Sequence, residues 1–221
     1  MIVNSNPQSE TSAKKYGLAL HTATPELGLA ISNFAGDYRC HIWNLGRSLA
    51  TDLHQHLVEF IQPQTWADLA FIAVAKGPGG FTGTRMGMVT ARTLAQQLDI
   101  PVFAVSTLAA VAHNNSQKSI STQDIALQMP AQRGQLFGAV YAVNSNYGVT
   151  ELFPDAAMTA ESWQEKLESW ENSYQLIEVG SELGSSVSGV LDLAYLEWKQ
   201  GSRPDWSDAL PYYGQHPVQG K

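Results

Sequence analysis

Residues 69–98 read LAFIAVAKGPGGFTGTRMGMVTARTLAQQL. Leu69–Ala75 is an almost wholly apolar run, the signature of a strand buried on both faces. Gly77-Pro78-Gly79-Gly80 stops it, because proline has no N–H for a ladder and glycine reaches backbone angles closed to other residues. From Thr82 the pattern becomes helical. Gly83, Gly87, Ala91 and Ala95 recur every four residues, so one face of the helix carries almost no bulk and another backbone could approach it. Met86, Val89, Leu94 and Leu98 supply apolar surface beside that face, and Arg85 and Arg92 share a third side. Each glycine costs the helix about 1 kcal/mol relative to alanine. Close helix packing is the plainest way to recover it.

Working outward, the pattern alternates. Tyr16–His21, Leu27–Phe34 and Tyr38–Leu45 read as a meander of strands joined by short turns. Thr51–Ile61 reads as a helix with Leu53, Leu57, Phe60 and Ile61 on one side. Val102–Val105 is a strand, and Ser106 caps a helix reaching about His113. The order β-β-β-α-β-α-β-α implies a mixed sheet, antiparallel on one side and parallel on the other, covered by helices. The polar stretch His113–Gln123 is the best internal boundary. Beyond it, Asp124–Met129, Gln135–Val143, Val149–Phe153 and Tyr174–Val179 read as strands and Ala160–Trp170 as an amphipathic helix. Ser186–Leu196 fits either period, and the tail from Gly201 reads as irregular. The division expected is a mobile extension over residues 1–14, a first lobe over 15–113, a second and degenerate lobe over 114–200, and an irregular tail over 201–221.

The chain of 221 residues is 44% hydrophobic and 15% charged, an ordinary globular balance. No apolar run has the length of a membrane span, and residues 1–14 lack the apolar centre of a signal peptide. The single cysteine, Cys40, allows no intrachain disulfide and no cysteine metal cluster. A reducing cytoplasm is the expected setting. The formal net charge of −7, with Lys14-Lys15 the only adjacent basic pair, argues against direct tight nucleic-acid binding by the chain alone.

Few residues suggest chemistry. A strand, a glycine-rich turn and a helix N-terminus can hold phosphate, with Thr22, Thr24, Gly79 and Gly80 as the contacts. However, Gly83-Thr84-Arg85 follows the turn where a Walker A loop would have Gly-Lys-Ser/Thr, and there is no G-x-G-x-x-G. A purely structural turn is the plainer reading. His54 and His56, two apart on a helix, point to opposite sides and cannot chelate one ion. His21 ends the first strand, where open sheets place site residues, yet a structural role is preferred. Cys40 has no base beside it. No catalytic or metal-ligating set is assigned.

Three segments nevertheless resemble a known family: LALHTATPELGLAI (Leu18–Ile31), AVAKGPGGFTGTRMGMVTARTLAQQLDIPVFAVSTL (Ala73–Leu108) and, more weakly, AQRGQLFGAVY (Ala131–Tyr141). They resemble TsaB, also called YeaZ, the glycoprotease-like subunit of the bacterial machinery that makes threonylcarbamoyladenosine in tRNA. The middle segment is similar to that family's G-P-G-S-F-T-G-x-R-x-G block, with Gly80 in place of serine. The resemblance implies the actin/Hsp70/sugar-kinase fold (ASKHA, RNase H-like): two lobes, each with a mixed sheet covered by helices. Many TsaB-like chains keep D-T-x-T at the first hairpin. This chain has His21-Thr22-Ala23-Thr24, without the aspartate that helps hold metal in the superfamily.

The resemblance therefore implies a non-catalytic partner that binds and stabilises a TsaD-like catalytic subunit, with a TsaE-like ATPase assisting turnover. ATP would be used by the complex and not bound by this chain alone. Contact with tRNA would be indirect, and a homodimer through the same helices is a further expectation. The partner surface implied is the pair of first-lobe helices, carried onto Leu53, His56, Leu57, Phe81, Gly83, Arg85, Met86, Gly87, Thr90 and Ala91. On this view Gly87→Leu should abolish pairing and spare the fold. The alternative is an autonomous kinase or ATPase of the same superfamily using the cleft between the lobes.

Overall fold

Strand β1 (Tyr16–His21) lies at the middle of a five-stranded sheet ordered β3-β2-β1-β4-β5. The computed structural model describes residues 15–117, 123–144, 148–212 and 214. The extension expected over residues 1–14, residues 118–122 of the polar boundary and residues 213 and 215–221 of the tail lie outside them. β2 (Glu26–Ser32) and β3 (Tyr38–Asn44) run antiparallel to their neighbours. β4 (Leu69–Ala75) and β5 (Val102–Val105) run parallel to β1. This is the mixed sheet that the order of apolar runs implies.

The two faces of this sheet differ in relief. Leu18 and Leu20 of β1, Leu27 and Leu29 of β2, and Ile72 and Val74 of β4 pack under α1 (Leu49–Ile61) and α2 (Phe81–Leu98). The opposite face carries Ala19, Ala30, Ala73 and Ala75 with Phe71 and Phe103. Alternation along β1 and β2 sends leucines one way and small residues the other, while β4 and β5 place one phenylalanine each among the alanines. The low-relief face admits α3 (Thr107–Ser116) and α5 (Val187–Lys199), both packed in one core with it.

The second sheet has four strands in the order β8-β7-β6-β9, formed by β6 (Asp124–Pro130), β7 (Leu136–Asn144), β8 (Gly148–Met158) and β9 (Tyr174–Glu178). β6 pairs antiparallel with β7 and parallel with β9, as β1 does with β2 and β4. The two lobes thus repeat one plan. α4 (Ala160–Glu168) covers the outer face through Trp163 and Leu167, and Trp163 Nε1 donates to Gln128 Oε1 at 2.9 Å. Ile125, Leu127 and Tyr141 face the core shared with α3 and α5, so the layers run α1/α2, first sheet, α3/α5, second sheet, α4. Among the described residues no helix is long and apolar enough to cross a membrane.

Candidate functional site

The C-terminal ends of β1 and β4, the turn after β1 and the starts of α2 and α3 meet at Gly77–Gly80. Gly77 sits at φ +100°, a left-handed conformation that glycine takes without strain. Its carbonyl accepts the N–H of Thr107 at 2.8 Å, and the N–H of Lys76 donates to Val105 at 2.8 Å. The hairpin turn Thr22–Thr24 closes over this from the other side. The Gly80 N–H donates to the Ala23 carbonyl at 2.6 Å, and the Thr22 hydroxyl donates to the Gly83 carbonyl at 2.8 Å.

This contact corrects the expected bare ridge on α2. A Cβ added at Gly79 would fall on the Ala23 carbonyl oxygen, at Gly83 on the Thr22 carbonyl oxygen, and at Gly87 on Thr22 Oγ1. Ala91 and Ala95 are wholly buried. The small-residue face is therefore capped by the chain's own hairpin and sheet. Its period signalled close packing correctly, but the backbone that approaches is this one. Gly87→Leu, expected to spare the fold, would instead strike Thr22.

The same contact accounts for the candidate phosphate residues. The Thr22 hydroxyl and the Gly80 N–H are donors a phosphate would need, and both are spent within the chain. The Ala23 carbonyl fills the space beside Gly79. Thr24 Oγ1 is buried without a hydrogen-bond partner.

His21 is wholly buried, and neither ring nitrogen has a hydrogen-bond partner. Alternation along β1 turns it, like Ala19, toward the α3/α5 side. Burial pulls its pKa down to about 4, against a smaller upward pull from its own backbone, so the ring is neutral at pH 7.

The residues expected to meet a partner separate into two groups. Leu53, Leu57, Gly87, Thr90 and Ala91 lie inside, under the helices, and are corrected from surface to core. Gly83 is half-buried against Thr22 and Leu49, and Met86 is half-buried against the α1/α2 core. His56 stacks on Trp43 at 4.6 Å, while His54 Nε2 lies 3.5 Å from Thr90 Oγ1, so the two histidines face different neighbours. Phe81 and Arg85 remain outside, with the Arg85 guanidinium 4.9 Å from the Phe81 ring centre. They share an outer stripe with Val89, which is 62% exposed, at positions i, i+4 and i+8. This stripe is offset by two residues from the glycine–alanine one, which puts it on roughly the opposite side of the helix. Val58 of α1 is also exposed, at 53%.

A second polar group, absent from the sequence reading, lies where the lobes meet. The Tyr141 hydroxyl donates to Asp155 Oδ1 at 2.9 Å and lies 3.3 Å from Ser106 Oγ, the cap of α3. Burial raises the pKa of Asp155, and its hydrogen bonds with Ser106 and Tyr141, then the charge of Lys76, oppose that rise. Its members come from β7, β8 and the residues just after β4 and β5, so no local period could have assembled them. Cys40 is half-buried, and burial raises its thiol pKa. Among the described residues no three His, Cys, Asp or Glu side chains group closely enough to hold a metal ion.

A family model described as "TsaD: tRNA N6-adenosine threonylcarbamoyltransferase" matches residues 54–174, more than half of the chain. The protein named tRNA threonylcarbamoyladenosine biosynthesis protein TsaB from Bacillus subtilis (strain 168) is 38% identical over 100 residues, 45% of this chain and 42% of that one. The protein of the same name from Escherichia coli (strain K12) is 28% identical over 131 residues, 58% of this chain and 56% of that one. The chain belongs to the TsaB (YeaZ) branch of this family.

The chain spans about half the length of the curated TsaB relatives it matches. The solved structure titled "YeaZ from Pseudomonas aeruginosa" superposes with a TM-score of 0.72 at 21% identity, covering 90% of this chain and 99% of that one. A Pseudomonas aeruginosa protein described as similar to peptidase YEAZ gives 0.74 at 22%, covering 91% and 100%. At these identities the likeness establishes the fold. It is the two-lobed α/β fold of those structures, with two mixed sheets covered by helices.

Two outcomes test the TsaB-like core around the hairpin. Gly87→Ala should lower the stability of the isolated chain by roughly 1–3 kcal/mol in urea denaturation, because overpacking at a closed contact forces shifts. For His21, the folded-state pKa lies below the ordinary 6.5. Its stability contribution is thus complete above pH 6.5 and is lost as pH falls toward 4, on the order of 3 kcal/mol in all. His21→Leu should flatten that part of the stability profile and leave stability at pH 7 unchanged or higher, since two unpartnered buried nitrogens disappear.

Proposed function

We propose that the chain works in tRNA threonylcarbamoyladenosine biosynthesis as a subunit that binds and stabilises a TsaD-type partner, with the transfer chemistry residing in that partner. The observation that carries this reading is the exposed outer stripe Phe81–Arg85–Val89 of α2, together with the exposed Val58 on α1. Exposed apolar side chains set around a cation suit a protein interface better than open solvent. The names of the TsaB relatives support the pathway. The sequence has no H-x-x-x-H pair for a metal of its own, and its net charge of −7 favours contact with tRNA through the partner. ATP is consumed by the assembled complex, with a TsaE-type ATPase assisting, in the cytoplasm. In the free protein the same helices pair two copies.

The buried, unpartnered Thr24 hydroxyl beside the glycine turn favours the competing reading, an ATPase or kinase acting alone. Calorimetry separates the two. The wild-type chain should bind a TsaD-type subunit, and Val89→Asp should weaken that binding at least tenfold while leaving the chain folded, because surface changes are otherwise nearly neutral. Undiminished binding by Val89→Asp would remove the interface. Micromolar Mg-ATP binding with hydrolysis by the chain alone would move the chemistry here.

A further inference from the structure

The segment after α5 crosses from one lobe to the other. The Val102 N–H of β5 donates to the Pro204 carbonyl at 3.3 Å. Trp206 packs on the α1/α2 core, with the Arg92 guanidinium 5.6 Å from its ring centre, and Ala209 is buried in the same core. These contacts anchor the segment to the first lobe. Three residues later its end changes sides. The Tyr212 N–H donates to the Lys76 carbonyl at 2.7 Å, at the edge of the glycine turn. The Tyr212 hydroxyl donates to the Asp155 carbonyl of β8 at 2.5 Å, and its ring meets Phe137 of β7 edge-on at 6.2 Å. Between the anchor and this end lies a cavity of about 350 Å³, lined by Lys76, Phe103, Glu197, Asp208 and Leu210 among others. The segment is thus held along its length, with an open cleft left between it and Lys76, Phe103 and Glu197.

We propose that Pro204–Tyr212 is a latch: an arm fixed to the first lobe whose terminal tyrosine bolts the second lobe across the cleft. Elsewhere the lobes are joined by the apolar core around α3 and α5. At the cleft mouth the joint is polar: the Tyr141 hydroxyl lies 3.3 Å from Ser106 Oγ of the first lobe, Asp155 of its own sheet holds that hydroxyl, and Tyr212 is seated on the Asp155 carbonyl. Any opening of the lobes at Lys76, Ser106, Tyr141 and Asp155 must first unseat Tyr212.

The test is amide hydrogen exchange on the full chain, followed segment by segment. Tyr212→Ala removes the hydroxyl and the ring, and Tyr212→Phe removes the hydroxyl alone. The latch predicts exchange about tenfold faster in Tyr212→Ala at two places together, around Thr107 in the first lobe and around Phe137 and Asp155 in the second, since one lost net hydrogen bond and a ring contact have that weight. Tyr212→Phe should show a smaller rise at the same places. Segments in β3 and α4 should be unchanged. A rise confined to residues 204–214, or one spread evenly through β3 and α4, would overturn the latch, the first because the arm is a passenger and the second because the tyrosine only supports the whole fold.

Discussion

One backbone approach organises the first lobe. The hairpin turn at Thr22-Ala23 lies directly on the start of α2, with two hydrogen bonds crossing the contact, one from the Ala23 carbonyl and one from the Thr22 hydroxyl. Only glycine at 79, 83 and 87 leaves room for it. Because the turn follows β1 and α2 follows β4, this contact also fixes how the helix sits over the two central parallel strands. The start of α3 is tied to the same turn through Gly77. The positions of three elements therefore depend on three absent Cβ atoms, which explains why a helix tolerates residues that weaken it locally.

Much of this was legible in the sequence. β1, β4 and β5 end where composition places them, because each is a short apolar run bounded by Gly, Pro or a cap. β8 continues to Met158, beyond the expected Phe153. It is an edge strand, where Pro154 breaks no ladder that matters and the register shifts opposite Gly138–Tyr141. The segment 186–196 had no clear period because α5 is wedged between two sheets. Val187, Val190, Leu191, Leu193 and Ala194 are all buried, and only Ser188 and Asp192 mark a narrow polar side over this stretch.

The candidate site was less legible, for a different reason. A four-residue repeat of small side chains says that something comes close, and it is silent on whether that something is another molecule or an earlier turn of the same chain. The opposite stripe, Phe81–Arg85–Val89, has the same period and stays outside. Burial distinguishes the two, and burial is a property of the fold. The Asp155 group was invisible for a related reason, since its members are brought together only when the second lobe packs against the first.

The arm after α5 has another effect. β5 is the outermost strand of its sheet, and an open strand border offers its free amides to any extended chain. Here the Val102 amide is taken by the carbonyl of Pro204, a residue with no N–H to pass the ladder on. The arm thus occupies the border at Val102 with a residue that has no N–H of its own to offer, which blunts that point against edge-to-edge pairing.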